Sequence, residues 1–255
     1  MTASDQIVAI VLTLNEAEHL PDCLASIAML TDRVIVLDSG SDDGTQSIAS
    51  AHGAELRTRA FDGYANQRNA ALEMAGDADW VLFLDADERI AVSGAAEIRT
   101  TIVGAGPDLA VCSLPRRNTF FGRELRGGGW WPDYQARLLR RGRACFDPSK
   151  QVHEVVRFEG ESRHLAEPIT HLNYATRSEF IAKQRAYTRQ RVAQSATTAM
   201  PRRRAYVGAP ARELFRRFVR LKGYRDGLTG LFVVGVLAVE EARAVWLLRS
   251  KARRS

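Results

Sequence analysis

Residues 7–14 form a near-continuous apolar run rich in β-branched side chains, and this run limits what the chain can fold into. A strand of that kind needs cover on both faces, which parallel sheets flanked by helices provide. Trp80-Val81-Leu82-Phe83-Leu84 repeats the demand. Between the two runs, strand and helix signals alternate: strand 33–38, polar turn 39–44, helix 45–52, a weaker strand 55–59 and helix 64–75. Asn15 and Glu18 have the spacing of a helix N-cap and its reciprocal partner, predicting a helix through Leu20, Leu24 and Ile27. A helix at 95–102 and a strand at 109–114 follow. The pattern is that of an open α/β sheet.

Beyond Arg116 the alternation breaks. Gly127-Gly128-Gly129-Trp130-Trp131-Pro132 reads as a loop, 134–139 and 152–158 as strands, and 178–193 as a polar, basic helix. After Pro210 come two basic amphipathic stretches. With no internal repeat and no low-complexity linker, the expectation is one domain over 1–200 and an extension over 201–255. A chain of 255 residues suits that division.

The net charge of +6 is unevenly placed. From Pro201 onward stand fourteen Lys/Arg against four acids, so this segment carries +10 and residues 1–200 carry −4. A basic tail on a mildly acidic body points to an anionic surface partner rather than a nucleic-acid groove along the whole protein. The basic side chains Arg202, Arg203, Arg204, Arg212, Arg216, Arg217, Arg220 and Lys222 surround Leu214, Phe215, Phe218, Val219 and Leu221, and with the apolar run from Leu228 they make basic amphipathic stretches suited to an anionic leaflet. The alternative is a helical hairpin packed on the rest of the chain. Residues 228–239 are apolar but too few to span a bilayer, which takes roughly 20. Cys23, Cys112 and Cys145 have no paired spacing and are expected as reduced thiols of a cytoplasmic protein without a signal peptide.

Ligands of open α/β sheets bind beyond the carboxyl ends of the strands. Three such ends are polar here: Thr13-Leu14-Asn15-Glu16, Asp38-Ser39-Gly40-Ser41 and Asp85-Ala86-Asp87-Glu88. Each singly is also what a turn or a cap requires. Asp85-x-Asp87 after a buried strand places two carboxylates on one tight turn, a suitable pair for Mg²⁺ or Mn²⁺ shared with substrate phosphates. An ion held there neutralises a departing diphosphate.

The segments Ile10-Val11-Leu12-Thr13-Leu14-Asn15-Glu16, Val36 through Thr45, Gln67-Arg68-Asn69 and Leu84-Asp85-Ala86-Asp87-Glu88 occur in the order seen in family 2 glycosyltransferases. The resemblance spans roughly residues 7–175. Within that family the chain is most similar to lipopolysaccharide-core glycosyltransferases, through Trp131-Pro132-Asp133-Tyr134-Gln135, Arg137-Leu138, Val152-His153-Glu154, and Gly223-Tyr224 with Asp226-Gly227 and Gly230.

The resemblance implies a GT-A-type nucleotide-diphospho-sugar transferase fold, a Rossmann-like mixed sheet flanked by helices. Residues 1–115 would be its nucleotide-binding half and 116–200 its acceptor half, with basic amphipathic C-terminal helices. It implies inverting, metal-dependent transfer of a hexose, glucose first, from a UDP-sugar to a lipid-linked glycan, a lipopolysaccharide-core heptose. Thr13, Asn15, Glu16, Asp38, Ser41, Arg68, Asn69, Asp85 and Ala86 would bind the nucleotide sugar. Asp38 would accept from the base imide, and Arg68 would meet the diphosphate. Asp87 and His153 would hold Mg²⁺ or Mn²⁺. Asp133 or, as its rival, Glu154 would be the general base, and Trp130 and Trp131 a wall for a sugar face. The protein is then expected at the inner face of the cytoplasmic membrane. Alternatives are a polyprenyl-phosphate sugar transferase, an inactive membrane-surface binding protein, and a nucleic-acid binder suggested by the pI of 9.5.

Overall fold

The computed structural model describes residues 7–149, 155–195 and 205–253. The chain divides into two compact units, Met1–Arg116 with Tyr134–His171, and Arg117–Asp133 with Leu172–Ser255. The loss of α/β alternation after Arg116 coincides with the first crossing, and the units are cut differently from the segments 1–200 and 201–255.

The first unit opens with β1 (Ile7–Thr13), α1 (Leu20–Ile27), β2 (Val34–Asp38), α2 (Thr45–Ala51), β3 (Glu55–Thr58), α3 (Tyr64–Met74) and β4 (Trp80–Asp85). After these come β5 (Glu88–Ile90), α4 (Val92–Val103), β6 (Leu109–Phe120), β7 (Arg123–Glu124), β8 (Asp133–Arg140), β9 (Ala144–Phe146), β10 (Val156–Phe158), β11 (Glu161–His164) and β12 (Ile169–Tyr174). Strands run in the order β3-β2-β1-β4-β8-β6-β12-β5. The pairings of β1 with β2 and β4, and of β2 with β3, are parallel, whereas β8 lies antiparallel to β4. Of the expected strand at 152–158, β10 is present, and 152–154 lie outside the described residues.

The alternation of β1 explains the double cover. Ile7, Ala9 and Val11 pack with Leu20, Leu24 and Ile27 of α1 on one face. On the other, Val8 and Ile10 pack with Ala71 and Leu72 of α3. Each fully buried Val, Ile or Leu contributes about 1.5–3 kcal/mol from leaving water, so a strand feeding two cores is strongly pinned. One-residue slippage would exchange its two faces between cores of different shape.

The expected cap at Asn15 is not formed. Asn15 takes a left-handed conformation, φ 57°, which asparagine tolerates better than most residues. The helix starts later, at Leu20, with no side-chain cap on His19.

The second unit carries α5 (Arg177–Gln194), α6 (Ala205–Leu214), a π-helical run Phe215–Arg220, a 3₁₀ turn Gly223–Asp226 and α7 (Gly227–Ala252). The two stretches expected after Pro210 are two helical arms, α6 with its π-helical run and α7, which pack on each other across the turn at Gly223–Asp226. Phe120, Leu125, Tyr174, Phe180 and Val233 form this unit's core. The glycine-rich loop before β8 docks on the turn before α7, where Asp226 accepts the backbone N–H groups of Arg126 and Gly127 at 2.7 and 2.8 Å. A Cβ on Gly127 would lie 2.2 Å from the Lys222 carbonyl oxygen, and one on Gly230 2.1 Å from that of Gly223. The spacing from Gly223 through Gly230 is therefore a close-packing requirement of this loop.

Candidate active site

Parallel register brings the three polar strand ends together. Thr13 pairs with Asp38 across β1 and β2, and Leu12 with Asp85 across β1 and β4. At the first two ends, side chains latch the loops to one another. Thr13 Oγ1 donates to Asp38 Oδ1 at 2.9 Å. The Asn15 N–H donates to Ser41 Oγ at 2.8 Å, and Asn15 Oδ1 accepts the Asp42 N–H at 3.0 Å. The Glu16 N–H donates to Thr45 Oγ1 at 2.9 Å. Thr13, Asn15, Glu16 and Ser41 are thereby brought together as expected, with hydrogen bonds that shape the crevice wall.

Asp38 is fully buried. Besides Thr13, its oxygens accept from the Gly40 and Ser41 N–H groups, Ser41 Oγ and Gln46 Nε2. Five donors exceed the roughly four lone-pair positions of a carboxylate. Burial by itself raises its pKa, but the bonds from Ser41, Gln46 and Thr13 outweigh it and hold the carboxyl below its usual range. A base imide would have to displace one of these partners to reach Asp38.

The third end is a charge network. β4 closes at Asp85, Ala86 and Asp87 make a tight turn, and Glu88 opens β5. Arg68 Nη2 donates to Asp85 Oδ1 at 2.9 Å, and Arg137 Nη2 donates to Asp85 Oδ2 at 2.5 Å. Arg137 Nη2 also reaches Glu88 Oε1 at 2.5 Å, and Arg116 Nη1 lies 3.6 Å from the same oxygen. Glu88 Oε2 accepts the Asp85 N–H at 3.1 Å. Burial raises the Asp85 pKa, but Arg137 and Arg68 overcome it and hold the carboxyl well below the ordinary range. Conversely, burial lowers the Arg137 pKa while Asp85 and Glu88 raise it further, so its charge is secure.

Arg68 is 4% exposed, stacked 5.1 Å over Phe83 and clamped on Asp85, so it braces that carboxylate. Asn69 directs its carboxamide to Phe146, donating to that residue's carbonyl at 2.9 Å and accepting its N–H at 2.8 Å, which fixes α3 against β9. Ala86 is buried, and its carbonyl accepts from Arg89 at 2.7 Å.

Asp87 is left out of the arginine network. Its Oδ2 lies 3.3 Å from Nε2 of His171 on β12, and the β5–β12 ladder sets His171 opposite Glu88. Adjacent ligands of an octahedral ion with bonds of about 2.1 Å are about 3.0 Å apart, so this spacing fits two donors on one divalent cation. Among the described residues no group of three or more His, Cys, Asp or Glu could hold an ion unaided. An open two-donor edge suits Mg²⁺ or Mn²⁺ completed by phosphate oxygens and water, and the imidazole nitrogen tilts it away from the strictly oxygen-loving Mg²⁺. His153 and Glu154 lie outside the described residues. Sequence reasoning missed His171 and Glu88; the available signal for His171 was an imidazole within the alternating strand Ile169–Tyr174.

In the second unit, Asp133 begins β8 and accepts from Asn118 Nδ2 at 3.2 Å. Trp130 is absorbed in the aromatic core, 4.7 Å from Phe120. Trp131 is exposed and lines a small pocket with Arg117, Glu124, Leu125 and Arg126. Of the two tryptophans only Trp131 is open to a sugar face.

The family model described as "Glycosyl transferase family 2" matches residues 8–206. The chain belongs to glycosyl transferase family 2. It is a glycosyltransferase, and its parallel β3-β2-β1-β4 half, continued by mixed strands past an Asp-x-Asp turn, is the GT-A arrangement. It is 27% identical over 234 residues to the lipopolysaccharide core biosynthesis glycosyltransferase LpsC of Rhizobium meliloti, covering 87% of this chain and 84% of that one. An uncharacterized glycosyltransferase of Rickettsia conorii is 37% identical over 87 residues, which is 34% of this chain and 30% of its own. Glucosyl-3-phosphoglycerate synthase of Mycobacterium tuberculosis, solved with Mn²⁺ and UDP-glucose, is 24% identical with a TM-score of 0.39, covering 44% of each chain.

Proposed function

We propose that this family 2 enzyme transfers a hexose, glucose first, from a UDP-sugar to a lipid-linked acceptor of the lipopolysaccharide-core type, with inversion at the anomeric carbon. The observation that carries the donor half is the division of labour at the β4 turn. Asp85 is locked by Arg68 and Arg137, whereas the neighbouring Asp87 stands beside His171 as a donor pair. Asp87 and His171 would hold Mn²⁺ or Mg²⁺, which would supply Lewis-acid neutralisation of the leaving diphosphate. The latched Thr13–Glu16 and Asp38–Ser41 loops bound the nucleotide, and Asp85 orients the turn. Asp133 takes the acceptor hydroxyl proton as that oxygen attacks, which is what inversion in one displacement requires. The acceptor assignment rests on the similarity to the rhizobial LpsC protein, and the C-terminal basic segment would keep the enzyme at the anionic inner face of the cytoplasmic membrane.

A donor screen tests the reading. Nucleoside diphosphate release is followed with Mn²⁺ across UDP-, GDP-, ADP- and CMP-sugars, with and without a lipopolysaccharide-core acceptor. UDP-glucose should give the highest turnover. Release from no donor, with acceptor present, would reject the proposal.

A further inference from the structure

The helix α7 is covered by α5 and by α6, which leaves one strip of its surface open. Its buried positions include Thr229, Val233, Val234, Ala238, Glu240 and Val245. Six others, Leu228, Leu231, Gly235, Val239, Ala242 and Trp246, recur at helical spacing and fall within an arc of about 80° on the opposite side. Leu228 is 82% exposed, Val239 65% and Trp246 56%. The stripe runs about 27 Å along the helix axis and contains no charged residue. An uncovered apolar face of this extent is what a soluble surface normally avoids.

The charges around the stripe identify its occupant. The helix has two acids, Glu240 and Glu241, and both are turned toward α5. Glu241 pairs with Arg191 at 2.6 Å, and Glu240 lies 3.9 Å from Arg185. Arg243 lies 3.8 Å from Glu240, and Arg249 and Lys251 are turned onto Tyr206 and the end of α5, which leaves Arg225 before the stripe and Arg253 beyond its end. Stripe-to-stripe pairing of two copies would add a cationic end at each side of the contact with no further acid to meet it. An anionic lipid surface satisfies both the apolar face and its cationic border. Among the described residues no helix is long and apolar enough to cross a membrane, so a helix of this design lies in the interface.

We propose that the Leu228–Trp246 face of α7 is the membrane-inserting surface of this enzyme, lying in the headgroup region of an anionic leaflet with Arg225 and Arg253 on lipid phosphates. This deepens the peripheral-membrane part of the proposed function and rests on it. It also narrows the insertion to the helix that begins with the Leu228 run, since in the arginine-rich run before it Arg216 and Arg217 are both engaged by Glu213.

The test uses the full chain with sedimented vesicles of neutral phosphatidylcholine alone or with about one-third anionic phosphatidylglycerol. Wild-type protein should bind the anionic vesicles and show a blue shift in tryptophan emission that Trp246→Phe removes. Leu231→Glu and Val239→Glu, checked for unchanged melting and unchanged donor hydrolysis, should each weaken binding by about tenfold or more. Binding that both variants retain would overturn this face while leaving membrane attachment intact. Wild-type protein that binds neither vesicle would reject attachment itself. A wild-type dimer in light scattering that Val239→Glu converts to monomer would assign the face to a second copy and overturn the proposal.

Discussion

Replacing Glu88 by Gln should damage the site without touching the proposed metal ligands or the latched loops. Glu88 is fully buried, and its two oxygens serve Arg137, Arg116 and the Asp85 backbone. Removing one partner of a buried ion pair outright costs about 3–5 kcal/mol. Glutamine keeps the volume and one acceptor, so the loss reduces to roughly that of a charge-assisted hydrogen bond, about 2–3 kcal/mol. In a chain of this size that corresponds to a melting point lower by roughly 5–10 °C. Arg137 then holds Asp85 without its second anchor, and kcat/KM for donor should fall about 10- to 100-fold, because a misplaced support is costly in a preorganised site. Calorimetry and nucleoside diphosphate release on the same preparations measure both effects, and Glu88→Asp, which keeps the charge, should recover part of each. A melting point within about 1 °C of wild type, with unchanged turnover, would refute the role given to this network.

Three further outcomes follow from the same geometry. His171→Ala should raise the Mn²⁺ concentration for half-maximal activity by about 10- to 100-fold, with turnover partly restored at saturating metal; an unchanged metal titration would remove His171 from the ion. Asp133→Asn should lower kcat for transfer by about 10²–10⁴ while leaving donor affinity near wild type, and near-normal turnover would favour a phosphate acceptor that needs no base. Asp38 and Asp85 both have depressed pKa values, so their stabilisation is complete above the unfolded carboxylate value of about 4 and is lost only as pH falls through their lower folded values. Melting temperature should therefore be insensitive to these groups from pH 8 to 5 and drop below pH 4, and Asp38→Asn should lower the plateau and flatten that drop; a variant that melted like wild type across the range would show that Asp38 meets only the nucleotide.

What could be read from the sequence is what local patterning encodes. The runs at β1 and β4 declare strands buried on both faces, and the polar residues at their ends mark one crevice. The left-handed Asn15 was illegible, since its partners Ser41 and Asp42 sit on another loop. Arg68 and Asn69 look like surface residues of a polar helix, and only the tertiary neighbours Asp85 and Phe146 reveal them as braces. His171 lies 84 positions from Asp87, and no local signal pairs them. The C-terminal basic pattern announced an amphipathic character but not which face another helix would cover.

The β5–β12 pairing carries a consequence for dissection of the chain. A fragment ending after β6 would retain the parallel strands β1 to β4, both aspartates of the turn and the latched loops. It would look like a self-contained nucleotide module. Yet it would lack β8, which brings Arg137 to Asp85, and β12, which brings His171 to Asp87. The proposed donor pocket would therefore be completed only when the last strand of the sheet has been made, and its first half alone would be scaffolding.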